Sequence, residues 1–385
     1  MEKTNSYRFD QLETLRGLLA WWVVTFHCLS FTGLNTSPTK NPLLFLLSRG
    51  DLAVDGFIIL SGIVITNLIL NKHESYQFYI KRRFFRLAPI YFTALLVSIC
   101  LQNLYLITFK NLSTVTDPVL FAPKIERITL FWQHKWEYIL LHLTMLHGLV
   151  PDQLLANSST AILTPAWSIS LEWQFYLVAP LLLFFVKKGK LYPLVLVFLC
   201  ITCFIIKIKY PLNFEGAFLP HQIWLFLVGV YTFIVYSSKK NVFLNWLVLT
   251  FMITCSIAAK NMAILPIALS LSFFFIPNLI KKESSAHNLV YKLTTIPFLQ
   301  KLGKISYSTY LFHQAVQLCV LFLMMSYFHI NNKLQLFAIC FISSSIIVYF
   351  LSLLLFRYIE QKGIEIGKIH FTKKKAAEVV TIIEN

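Results

Sequence analysis

The run LRGLLAWWVVTFHCLSFTGL, residues 15–34, is apolar throughout except for two ionisable side chains, Arg16 and His27. At 20 residues it has the length of a membrane-spanning helix. Eleven positions separate the two, which on a helix is about 20° beyond three full turns and a rise of roughly 16.5 Å. Both side chains therefore share one face, with Arg16 near an interface and His27 near mid-bilayer. A charge-bearing group at that depth faces a bundle interior or a wet cavity and marks a functional site. The alternative for each alone is structural: Arg16 snorkels to the interface and His27 packs.

The rest of the chain has the same character. Of 385 residues, 57% are hydrophobic and 13% charged, with a mean hydropathy of +0.66, against about 25% charged in soluble domains. Apolar segments at 15–34, 52–71, 84–106, 167–186, 191–206, 219–236, 242–259, 262–280, 305–328 and 334–357 each suit a spanning helix. The piece at 138–150 is too short to cross and reads as re-entrant or interfacial. The fold expected is an all-α polytopic membrane protein of about ten transmembrane helices, with one membrane domain over 1–360 and a cytoplasmic tail over 361–385.

The net charge of +17 does not indicate a nucleic-acid partner, because the basic residues sit in short clusters between apolar runs. That is the pattern of cytoplasmic loops facing membrane lipid. With 138–150 not crossing, most Lys and Arg residues fall on the side of the termini, including Lys81, Arg82, Arg83 and Arg86. The positive-inside rule then puts both termini in the cytoplasm. The seven cysteines all lie inside apolar segments and carry no trusted metal or disulfide spacing; Cys200 and Cys203 form only an isolated CxxC. The first apolar run lacks a small-residue cleavage site and is read as a retained helix, not a signal peptide.

Five further stretches carry chemistry. Glu13 lies three residues before Arg16, on the same helix face, and can pair with it. Asp55 enters the membrane at the start of the second span, within reach of His27 or a polar ligand, while Ser61 and Gly62 suit close helix packing. Arg83 and Arg86 form an i,i+3 pair opening the third span, where two guanidinium forks suit a phosphate clamp or lipid headgroups. In the segment WSISLEWQFY, residues 167–176, Ser168 and Glu172 share a helix face at the outer leaflet, opposite the arginines, with Trp167, Trp173 and Tyr176 as an aromatic belt. Late in the chain, ISYSTYLFH, residues 305–313, places His313 within another helix.

Taken together and in order, these motifs resemble the acyltransferase-3 family over nearly the whole chain: Arg16 and His27 on the first helix, Asp55 before the FIILSG run, Arg83 and Arg86 before Pro89 and Tyr91, the Trp167–Tyr176 segment, and Ile305–His313. The resemblance implies an integral-membrane enzyme, commonly of ten helices, that moves an acyl group, often acetyl, from acyl-coenzyme A to sugar hydroxyls. It implies that His27 is the essential first-helix histidine, with Arg16 as its companion. Arg83 and Arg86 become the coenzyme-A-binding arginines and Glu172 the first acid of the WSxSxE motif. Trp173 stands where the family's second glutamate is common, and Glu13 where Asp is common.

A hydroxyl needs a base to attack a thioester, and a neutral His27 is the candidate, with Arg16 and Glu172 as catalytic companions. Asp55, Trp167, Ser168, Ser170 and His313 are candidate substrate contacts. No metal or permanently bound cofactor is expected; acyl-coenzyme A is a donor co-substrate and a cell-surface glycan or lipopolysaccharide unit the acceptor, in a bacterial inner membrane. Some relatives carry a fused extracytoplasmic esterase-like domain; the short tail here suggests that the membrane domain acylates its acceptor itself. The rival reading is a proton-coupled transporter, since intramembrane Arg, His and Glu also mark ion pathways. Against it, no second Arg-x10-His and no half-to-half repeat is found.

Overall fold

The computed structural model describes residues 9–34, 40–72, 74–188, 192–209, 216–238, 241–279 and 284–368. Within them every regular element is helical. The first half contains α1 (Asp10–Phe31), α2 (Pro42–Leu47), α3 (Gly50–Asn71), α4 (Tyr76–Val115), α5 (Pro118–Gln133), α6 (Lys135–Leu143) and α7 (Ala166–Lys188). The second half contains α8 (Tyr192–Lys209), α9 (Leu219–Ser237), α10 (Val242–Ala259), α11 (Ile264–Leu279), α12 (Ser285–Thr294), α13 (Pro297–Lys304), α14 (Ser306–Ser326) and α15 (Lys333–Leu355). Within the described residues, each of the ten apolar segments carries a helix. Among those residues seven helices are long and apolar enough to cross a membrane: α3, α4, α7, α9, α10, α14 and α15 with its continuation. The protein is thus an all-α integral membrane protein. The count of ten is not established: α1, which carries Arg16 and His27, and α8 are not among the seven, and the apolar part of α11 is short.

Burial separates central helices from peripheral ones. The apolar stretch of α14 is 78% buried and that of α9 72%, whereas those of α10 and α15 are 28% and 22% buried and turn apolar faces outward. With α14, α1 and α3 form the middle. Small residues set the crossings: a Cβ on Gly62 of α3 would lie 3.1 Å from the Gly229 Cα of α9 and collide with the Phe226 carbonyl. This is how helices approach closely in lipid.

Helix α4 is longer than its apolar core, 40 residues against the 84–106 read from hydropathy. At about 60 Å it is twice the hydrocarbon thickness. Its polar flanks stay helical and protrude at both ends. Segment 138–150 forms the nine-residue α6 and a single 3-10 turn at His147–Leu149, too short to cross. Its two histidines hold loops together. His142 faces the Tyr91 hydroxyl and the Ser158 carbonyl, each at 3.1 Å, and His147 Nε2 lies 3.0 Å from the Ala166 carbonyl. Their rings stack at 4.1 Å.

The span of α15 runs on through a π-helical turn, Phe356–Glu360, and helix continues to Lys368. The expected tail at 361–385 is therefore helical at its start; Lys373–Lys375 lie outside the described residues.

Candidate active site

The Asp10 end of the bundle opens into a cavity of about 240 Å³ among α1, α3, α4, α7, α9 and α14. Three guanidiniums line it: Arg16 from α1, and Arg83 and Arg86 from α4. Glu13, Glu172 and Ser168 join them, and the walls between are apolar, including Ile58, Val64 and Phe226. Arg16 Nη1 is 3.4 Å from Glu13 Oε1, the i,i+3 pair read from the sequence. Arg83 and Arg86 lie on one face of α4, one helical turn apart. The Arg83 guanidinium stands 5.8 Å over the Tyr176 ring, and its buried Nε has no hydrogen-bond partner among the described residues. Around Arg86 stand the Tyr176 phenol and, in electrostatic reach of its charge, the carboxylates of Glu360, Glu13 and Glu172.

Glu172 is held between helices. Its Oε1 accepts from Ser61 Oγ at 3.3 Å and from the Tyr176 hydroxyl, one turn further along α7. It therefore sits inside the arginine cavity, not apart from it at the opposite end. Ser168, one turn before Glu172, donates to the Tyr310 hydroxyl at 2.8 Å. Tyr310 closes that side of the cavity, and behind it stand the histidines. His313 Nδ1 is 2.7 Å from the Tyr310 carbonyl, which fixes the proton there and leaves Nε2 with its lone pair; that nitrogen is buried without a partner among the described residues. The His313 ring centroid is 6.1 Å from Tyr310 and 5.0 Å from His27.

His27 does not line the large cavity. Its ring meets the Gln314 side chain, whose Nε2 lies 3.0 Å from His27 Nε2 and 3.3 Å from Nδ1. Gln314 in turn lines a second, small pocket of about 20 Å³ with Gln102, Arg127 and residues 160–164, toward the Phe31 end. Tyr310 on the cavity side and Gln314 on the pocket side are thus linked through His313 and His27.

Three sequence-derived candidates lie elsewhere. Asp55 is buried and paired with Lys260, Nζ to Oδ2 2.6 Å, rather than with His27. Lys260 also reaches Asp51 at 3.0 Å, and Arg49 grips Asp51 through two bonds, so this cluster ties α3 to the α10–α11 junction. Ser170 is fully buried and accepts from the Gly148 amide at 3.0 Å and from Gln174 at 3.3 Å. Trp167 packs against Gly216, outside the cavity lining.

Sequence reading missed Glu360, Tyr310 and Gln314. Glu360 is 2% exposed on the π turn and accepts from Ser308 Oγ at 2.9 Å, with Arg86 and Arg16 in electrostatic reach. Its signal was a carboxylate placed just beyond the last apolar run, where π turns are associated with function. Gln314 follows His313 directly and was readable as a second polar residue inside a span.

Comparison with known proteins fits this arrangement. The model of the acyltransferase-3 family, described as an acyltransferase domain, matches residues 9–357. The chain belongs to that family. The resemblance read from its motifs holds at the level of the family. It is similar to acyltransferase MdmB of Streptomyces mycarofaciens, 29% identical over 188 residues, 47% of this chain and 41% of that protein. It is likewise similar to O-acetyltransferase OatA of Staphylococcus aureus, 29% identical over 146 residues, 36% of this chain and 21% of that protein. The match thus spans less than half the length of either relative. No solved structure matches the chain.

Proposed function

We propose that this acyltransferase moves an acyl group, acetyl in the first instance, from acyl-coenzyme A to a hydroxyl of a cell-surface glycan, such as a lipopolysaccharide unit. The observation that carries the reading is the cavity in which Arg16, Arg83 and Arg86 converge and which ends at Ser168 and Tyr310, against the two histidines. Guanidinium forks suit phosphate oxygens, and the apolar walls suit a pantetheine arm. In this reading the arginine end faces the cytoplasm, where acyl-coenzyme A is made. Both termini lie there, and the membrane is a bacterial inner membrane.

The chemistry is acyl transfer. His27, held by Gln314, takes the proton of the attacking hydroxyl as its oxygen bonds to the acyl carbon. The carbon–sulfur bond then breaks and coenzyme A leaves as thiolate, which takes up a proton. Arg16 orients the donor and offsets charge developing on the carbonyl oxygen. Glu172 and Glu360 keep the guanidiniums directed into the cavity.

The name of the Staphylococcus aureus relative, an O-acetyltransferase, supports oxygen as the accepting atom. The test is release of free coenzyme A thiol from acetyl-coenzyme A by the purified protein in detergent. A glycan-dependent release supports the reading, and no turnover of acetyl-coenzyme A with any hydroxyl acceptor overturns it.

A further inference from the structure

Next to the arginine cavity, and sharing Leu68 with it, lies another of about 200 Å³ at the α3–α4 turn. Lys72, Glu74, Tyr76, Tyr79 and Phe184 line it. None of these residues has a part in the reaction described above.

Among the described residues, two of its polar groups lack partners. Glu74 is 6% exposed; its Oε1 pairs with Arg82, while its buried Oε2 accepts from nothing. Tyr79 is 3% exposed, and its hydroxyl is also without a partner. Buried polar groups are almost always satisfied, so a pair left open on one cavity asks for a ligand with matching donors. The charge is specific as well. Lys72 stands at the rim, with Arg82, Arg83 and Lys368 in electrostatic reach and Glu74 opposing them.

The continuity with the arginine cavity decides the ligand. Tyr76, Tyr79, Arg83 and Arg86 follow one another at steps of three, four and three residues, which is a single stripe along α4. The stripe is about 15 Å long and runs from two phenol rings to two guanidiniums. A ligand lying on it has a flat base bearing an amino donor at one end and phosphates at the other.

We propose that this second cavity holds the adenosine 3′-phosphate end of acyl-coenzyme A. Glu74 Oε2 accepts from the adenine amino group, Tyr76 and Tyr79 lie against the base, and Lys72 meets the 3′-phosphate. The proposal rests on the donor reading above and extends it to the far end of the donor. A phospholipid headgroup could bring a phosphate to Lys72, but it brings no base for the tyrosines and no amino donor for Glu74.

Binding of three probes to the full-length protein in detergent tests it: coenzyme A, 3′-dephospho-coenzyme A and 4′-phosphopantetheine. The wild type should prefer coenzyme A over the dephospho form by about tenfold, the scale of one charge-assisted contact. Lys72→Met should erase that preference by weakening coenzyme A alone. Tyr76→Ala, at an exposed position, should weaken both nucleotides and leave phosphopantetheine unchanged. Equal wild-type affinity for coenzyme A and its dephospho form overturns the proposal and hands Lys72 to a lipid phosphate. A preference that survives Lys72→Met, or a Tyr76→Ala loss shared by phosphopantetheine, also overturns it. If none of the three probes binds the wild type, it is the donor reading itself that fails.

Discussion

His27 and His313 come from helices at opposite ends of the chain, yet their rings stand 5.0 Å apart between two polar chambers. His313 takes its tautomer from the Tyr310 carbonyl, and His27 takes its orientation from Gln314. The pair lies between Tyr310, which lines the arginine cavity, and Gln314, which lines the small pocket.

His27→Ala is expected to lower the rate of acyl transfer by about 10²–10⁴, the usual contribution of a general base. Thermal unfolding in detergent should change little, since the ring is only half-buried. Coenzyme A release measured under saturating donor checks it, and near-normal turnover removes His27 from the chemistry.

Arg83→Lys combined with Arg86→Lys keeps both charges and loses both forks. A charge-assisted hydrogen bond contributes about 1.5–3 kcal/mol, so KM for acetyl-coenzyme A should rise at least tenfold. KM for the acceptor should stay the same. Wild-type donor kinetics in this variant would reduce the two arginines to positive-inside signals.

The packing of α13 on α1 supplies a stability test. A Cβ on Gly303 would collide with the Glu13 carbonyl, and one on Gly17 would lie 2.9 Å from the Gly303 amide. Gly303→Ala should therefore cost about 1–3 kcal/mol, the usual range for overpacking. It should also depress activity, because Glu13 and Arg16 must shift. A melting curve with an activity assay on the same sample reads both effects.

The stacked pair outside the spans predicts an acid limit. Burial holds His147 down at about 4, and burial together with the neighbouring His147 holds His142 well below its usual value. Above about pH 6.5 both are neutral folded or unfolded, and their packing is fully stabilising. As pH falls from 6.5 toward 4, the unfolded chain gains protons that the folded one refuses, so stability drops. His142→Gln should flatten the fall in melting temperature over that window.

Orientation can be read chemically. Gln153 lies exposed in the turn between the α6 region and α7, which the charge pattern puts outside the cytoplasm. In Gln153→Cys, an impermeant thiol reagent should label intact cells. Labelling only after the membrane is opened would invert the topology and, with it, the side on which the donor is loaded.

The helices and the arginine cluster were legible in the sequence because their signals are local. Apolar length marks a span, and i,i+3 spacing puts Arg83 and Arg86 on one face. The partner of Asp55 was not legible, since Lys260 lies more than 200 positions away and only the fold brings them together. Glu172 was misplaced for a related reason: its position along α7 is readable, but the depth at which α7 meets α4 is set by packing. Glu360 escaped notice because hydropathy ends the last span before the π turn that carries it.

The division between the chambers has an evolutionary consequence. The small pocket draws on α5 and residues 160–164, which contribute nothing to the lining of the arginine cavity. Mutations in that one connection between α4 and α7 can reshape the small pocket while the arginine cavity stays untouched. A lineage of such proteins would diversify by rewriting a connection of some fifty residues, leaving its membrane core under strict constraint.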